Sequence, residues 1–174
     1  MTINIKAQTD RVFKEHIKKA ERAKVIALNR AGRSALSQTV RFIREKYNIK
    51  ASDLKDQIKI IPANKTKDVF VIKASHKAIG LIKFGSARQT KKGVAVSVSK
   101  GNRKTINSAF ITEVGKGYHR GVFKRETKKR LPIKELYGPS VMQVMSSGKA
   151  EEFIQKVFNE RFEKELKQAL IYGS

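Results

Sequence analysis

Val94-Ala95-Val96-Ser97-Val98-Ser99 carries valine at every second position. That two-residue period is the mark of a strand with one buried face. Upstream the period changes. Leu28, Leu36, Val40, Ile43 and Tyr47 recur at helical spacings. They predict one buried stripe on a helix that starts after a cap at Thr9 or Asp10 and stops near Tyr47 and Asn48. Downstream, Ile154, Phe158, Phe162, Leu166 and Leu170 repeat every fourth residue, with Phe153 and Val157 beside them. They predict a closing helix over 148–172. Helix, strands and helix make an α+β fold: a long N-terminal helix, a mostly antiparallel β-sheet, and a C-terminal helix packed on the sheet. The 174 residues suit a single domain, 1–174. It has a helical part (1–57), a basic β-sheet region (58–130), and a docking segment with the last helix (131–174).

The first helix has a small-residue face of Ala20, Ala23, Ala27, Ala31, Gly32 and Ala35, which lets another element approach closely. Gly32 costs about 1 kcal/mol against alanine, which leaves open whether the helix bends or breaks there or runs on. Unbroken, this helix would be roughly 55 Å long. Part of it would then project or pack on a neighbour, which points to oligomerisation. Ser52 and Asp53 can open a short helix to about Gln57. Strands are expected over 58–61, ended by Pro62, and over 69–72 and 79–84. A turn is expected over 100–102, and a hairpin around Gly115-Lys116-Gly117 from 105–114 and 118–125. Residues 85–93 read as a polar, basic loop with a mobile tip. Pro132 and Gly138-Pro139 close the strand region. Ser140 and Ser147 are candidate caps for 141–145 and for the last helix. In that helix Glu152–Lys156, Glu160–Lys164 and Glu163–Lys167 are spaced for ion pairs.

Lysine and arginine number 39 against 15 aspartates and glutamates, net +24. The excess is uneven. Residues 1–82 carry +12, residues 83–130 carry another +12 in far less chain, and residues 131–174 are neutral. Such a charge calls for an anionic partner, nucleic acid being the simplest. The candidate contacts are Lys91, Lys92, Arg103, Lys104, Arg120, Lys124, Arg125, Lys128, Lys129 and Arg130, which loops and strand ends would bring together. They would act on phosphates without reading sequence, or on an acidic protein surface. The alternative is a merely solvated charge. Phe84, Phe110, Tyr118 and Phe123 sit at strand positions, where core packing is the expectation rather than base stacking.

Catalytic and metal chemistry find little support. There is no cysteine, and hence no disulfide, thiolate site or Cys nucleophile. His16, His76 and His119 are not spaced as metal ligands. His119 lacks an evident carboxylate partner and is read as structural. Serines form no nucleophile elbow and glycines no phosphate loop. Residues 58–130 hold only Asp68, Glu113 and Glu126, too dispersed for two-metal nuclease chemistry. No cofactor is expected. No apolar run approaches the roughly 18 residues of a membrane span, and residues 1–6 lack the apolar core of a signal peptide. Cytoplasmic synthesis and no membrane are the expectation.

Leu131-Pro132-Ile133-Lys134-Glu135-Leu136-Tyr137-Gly138-Pro139-Ser140 resembles the signature of the phage minor tail protein Z family of lambda-like tailed phages and prophages. The stretch 79–94 and Arg103-Lys104-Thr105-Ile106 running into Ala109-Phe110-Ile111 also resemble it; Met142 stands where the family pattern suggests proline. The resemblance covers nearly the whole chain and transfers no catalytic residue. It implies a non-enzymatic virion protein acting late in tail assembly at the head-proximal end of the tail. There it would help join the tail to the DNA-filled head as a homo-oligomeric ring, with other tail and connector proteins as partners and genomic DNA nearby. In the motif itself, Pro132 would end strand pairing on an edge. Leu136 and Tyr137 would anchor the segment in an apolar pocket, Gly138 before Pro139 would favour a turn, and Ser140 would cap a helix. Docking the last helix explains these residues as well as partner contact does. Two other functions remain: a stand-alone DNA-binding module and a metal-dependent nuclease.

Overall fold

A computed structural model describes residues 5–115 and 117–172, the side chains of 5–11 excepted. Its elements are α1 (Ile5–Lys46), α2 (Ala51–Lys55), β1 (Ile58–Ile61), β2 (Val71–Ala74), β3 (Ala78–Gly80), a 3-10 turn (Leu81–Lys83), β4 (Arg88–Thr90), β5 (Gly93–Val96), β6 (Lys104–Asn107), β7 (Ala109–Val114), β8 (His119–Arg125), β9 (Ile133–Glu135), β10 (Tyr137–Ser140), α3 (Val141–Met145) and α4 (Gly148–Tyr172). The fold is α+β, and its strands form four small sheets: β1-β2, β10-β3, β4-β5-β6 and β7-β8-β9. The chain divides into two compact units.

The first unit comprises Met1–Gln38, Ile60–Lys73 and Glu152–Ser174. Ala23, Ala27, Ala31 and Ala35 of α1 and Ala169 of α4 are buried in it. α1 runs unbroken through Gly32. The reason lies in the 60–73 segment. A Cβ on Gly32 would stand 2.2 Å from the Phe70 ring, so glycine serves packing and the helix tolerates its modest cost. Asn29 clamps the same segment, donating to the Ala63 carbonyl and accepting from the Ala63 N–H, both at 2.9 Å. The α4 face toward α1 carries Glu165, which is buried and receives Arg30 at 3.2 Å and Arg161 at 2.8 Å. The three lysine pairs expected on α4 do not close; Arg161–Glu165 takes their place. An exposed Lys–Glu pair repays little of the entropy of holding it, whereas Glu165 is desolvated. Ile154 and Phe158 of α4 share a groove with Phe70 and with Ile72 of β2. The closing helix thus faces α1 and one short strand. The predicted caps Thr9 and Asp10 fall inside α1, which is already helical at Ile5.

The second unit comprises Thr39–Lys59 and Ala74–Glu151. Its core holds Phe84, Ile43, Leu54, Val94, Val122 and Val141, all essentially inaccessible. The 85–93 segment is no loop. Arg88–Thr90 pairs with β5 in a hairpin whose two-residue turn is Lys91-Lys92. Such a polar strand shows no apolar alternation, so the sequence hides it. Its order comes from side chains: Gln89 accepts from the Ile111 N–H at 2.9 Å, and the Thr90 hydroxyl donates to the Gly93 carbonyl. β5 is buried on both faces, not one, because Ala95 is small enough to be covered as well. The Ile106 carbonyl lies 2.0 Å from where a Cβ on Gly93 would be, so only glycine fits between β4 and β6. The expected strand 105–114 is two strands. Ser108, at φ 62°, turns the chain between them and donates its N–H to the Lys92 carbonyl at 3.0 Å. The expected strand 79–84 likewise breaks into β3 and the 3-10 turn.

Candidate anionic-partner interface

The register of the sheets sorts the cations. In β7-β8-β9, Lys124 stands opposite Ala109 on one side and Lys134 on the other. Ala109 follows Ser108, whose N–H is held by Lys92. The Lys91-Lys92 turn of one sheet therefore adjoins the end of the other sheet that carries Lys124 and Lys134, where β8 and β9 lie about 4.8 Å apart. Arg125 lies at the same end of β8, its guanidinium 4.7 Å from the centre of the Phe110 ring. Lys128, Lys129 and Arg130 are exposed in the connection from β8 to β9. Two lysines directly opposite in a ladder oppose folding by about 0.2–1 kcal/mol, and an anion between them removes that cost. None of these cations is paired with a carboxylate among the described residues.

Three predicted contacts fall elsewhere. Arg103 precedes β6, and Lys104 faces Val96 at the end of β6 remote from the Lys91-Lys92 turn. Arg120 is at the opposite end of β8 from Lys124, in register with Glu113. Lys134 is not among the predicted contacts, because residues 131–174 are neutral overall. Its clue was its place two residues after Pro132, at the start of a strand. Among the aromatics, Phe84 and Phe123 are core, Phe110 is half-buried, and Tyr118 is exposed at a turn with φ 49°.

The 131–140 motif is a structural joint. Leu131 is exposed and Leu131–Pro132 is cis. β9 starts directly after Pro132. Leu136 donates its N–H to the Val122 carbonyl at 2.8 Å and accepts from the Leu81 N–H at 3.1 Å. It thus ties β8 to the 3-10 turn. Tyr137 is not in an apolar pocket as expected. It is half exposed, because its hydroxyl donates to Glu135 Oε2 at 2.7 Å. A Cβ on Gly138 would come within 2.6 Å of the Phe84 ring, so glycine lets β10 lie on the core. Pro139, lacking a donor, sits where the β10–β3 register shifts. Ser140 caps α3 as predicted and forms a full capping box with Gln143. The Ser147 hydroxyl instead donates back to the Val144 carbonyl at 2.9 Å.

The histidines divide similarly. His16 is exposed on α1 and bonds the Val12 carbonyl, and His76 is exposed. His119 does have a carboxylate: Glu135, at 3.0 Å from Nε2. Sixteen residues separate them, and strand pairing alone joins them. That hydrogen-bonded carboxylate, aided by burial and by its charge, raises the Tyr137 phenol above its ordinary value. Asp68 is held below the usual carboxylate range by the hydrogen bond and charge of Lys24. Among the described residues no three His, Cys, Asp or Glu side chains are grouped to hold a metal, and no helix is long and apolar enough to cross a membrane.

Residues 8–173 match the family described as prophage minor tail protein Z. Comparisons with curated proteins and with solved structures returned no match.

Proposed function

The chain belongs to the prophage minor tail protein Z family, and we propose that it completes the tail as a non-enzymatic virion component at the head-proximal end. In this reading it self-assembles, and its lysine-rich sheet end faces genomic DNA or an acidic connector surface during head–tail joining. The observation that carries the reading is the register of Lys124 against Lys134 beside the Lys91-Lys92 turn. Like charges kept opposite each other fit a surface that meets an anion in its working state. A duplex bound by about five such contacts gives an affinity falling with a log–log salt slope near −4.5. The variant Lys91→Glu/Lys92→Glu/Lys124→Glu/Lys134→Glu should flatten that slope to near zero. An unchanged slope overturns the DNA reading and leaves the acidic connector. Location is tested by gold labelling of a tagged chain in intact virions. Label at the distal tip, or none, overturns the head-proximal assignment.

Self-assembly rests on α1. Val12, Phe13 and Ile17 are exposed at 48%, 70% and 43%. Phe13 and Ile17 precede Ala27 and Ala31 by two heptads and so continue the same face, which is buried further along and open here. A second copy of the chain suits this uncovered extension. Phe13→Asp with Ile17→Asp should convert an assembled species to monomer in sedimentation velocity. A monomeric wild type favours the stand-alone binding module.

A further inference from the structure

A cleft of about 630 Å³ lies within the helical unit, between α1 and the loop over 64–68. The loop is tied to α1 on both sides of its tip. Before the tip, Asn29 makes its two hydrogen bonds to Ala63. After it, Lys24 pairs with Asp68, and the Phe70 ring lies against Gly32. The tip itself is a tight turn closed by Asn64. The Asn64 side-chain oxygen accepts from the N–H groups of Thr66 and Lys67 at 2.9 and 2.8 Å, and its own N–H donates to the Lys67 carbonyl at 2.8 Å. Lys65, inside that turn, is thereby held over the helix. The helix wall follows from spacing. Lys18 and Arg22 are four residues apart, with Glu21 and Val25 between and after them. Residues so spaced share one helix face, and all four line the cleft together with Lys65.

The charges of the cleft do not balance. Lys24 and Asp68 cancel each other. Lys18, Arg22 and Lys65 have no carboxylate partner among the described residues, and Glu21 has no cation. Three free cations against one free carboxylate leave two positive charges in excess. We propose that this cleft binds a phosphate group, with the Arg22 guanidinium as a two-pronged donor and the Lys18 and Lys65 ammonium groups as charges on either wall. A dianionic phosphate matches the excess, and its tetrahedral oxygens can meet donors from both walls. A carboxylate ligand would leave one positive charge over, and a metal cation would face three positive groups. Val25 is the one apolar side chain among the described lining residues, so recognition rests on charge rather than on burying an apolar body. The inference stands apart from the tail-end DNA reading, since it lies in the other unit and uses none of the same lysines.

The test is titration of the isotope-labelled full chain with inorganic phosphate at about pH 8, in about 0.15 M sodium chloride to screen diffuse attraction. Saturable shifts should appear at the backbone amides of 18–25 and 64–68. They should persist in the Lys91→Glu/Lys92→Glu/Lys124→Glu/Lys134→Glu variant, which removes the sheet-end lysines. Lys18→Gln/Arg22→Gln should weaken binding about tenfold, and Lys65→Gln, on the opposite wall, about threefold by itself. Glu21→Gln removes a like charge and should tighten binding about threefold. Shifts spread evenly over the basic residues of both units, an affinity untouched by Lys65→Gln, or weaker binding in Glu21→Gln each overturns the proposal. A duplex lacking terminal phosphates, added to the sheet-end variant, then separates the sources. If it displaces phosphate from the cleft, the ligand is a phosphodiester; if it does not, the ligand is a free phosphate or monoester.

Discussion

The two units handle size and charge in opposite ways. The helical unit is assembled on alanines, and Glu165 is buried between two arginines. The sheet unit has large apolar side chains at its centre, yet carries 23 basic against 7 acidic residues, where the helical unit carries 16 against 8. It tolerates two lysines face to face. The contrast teaches that the net +24 is mainly a property of one unit, while the other is tuned for close contact. A chain that selected charge only for solubility would spread it over both.

The comparison can be broken at its tightest contacts first. Gly93→Ala meets a carbonyl 2.0 Å away, a backbone atom that cannot swing aside. It should cost about 3 kcal/mol in urea unfolding. Gly32→Ala presses on the Phe70 ring, a side chain that can shift, and should cost less, about 2 kcal/mol. If Gly32→Ala proves neutral, the helical unit is not packed as tightly as its alanines imply. Lys134→Glu should stabilise the protein by about 0.5 kcal/mol by relieving Lys124, while weakening DNA binding; a loss of stability would show that the pair is already neutralised in the free chain. The smallest effect is expected at the exposed Lys24–Asp68 pair. Its carboxyl titrates below the ordinary value. The stabilisation is therefore full above the unfolded carboxylate pKa and fades as pH falls through the lower folded one. Asp68→Asn should flatten that acid limb in thermal melts, with little change near neutrality.

Both long helices, the hairpin around residues 115–117 and the Ser140 cap were legible, since periodicity and capping depend on residues a few positions apart. β4 was not, because Arg88-Gln89-Thr90 has no apolar alternation and takes its order from Gln89 reaching Ile111. The family resemblance was legible in the 131–140 segment, though the exposure of Tyr137 was not. Of the ten basic residues singled out, register groups Lys91, Lys92, Lys124 and Arg125 and separates Arg103, Lys104 and Arg120.

From the sequence alone came the α+β class and the excess of cations in residues 83–130, carried by short spacings and composition, and the kinship to a tail protein, carried by the likeness of the 131–140 segment and its flanks to that family. Which lysines share an edge, why α1 continues through Gly32, and that His119 meets Glu135 were decided only by tertiary structure. Each of these depends on strands or segments distant in the chain being brought to a few ångströms by pairing and packing, and no local pattern encodes that.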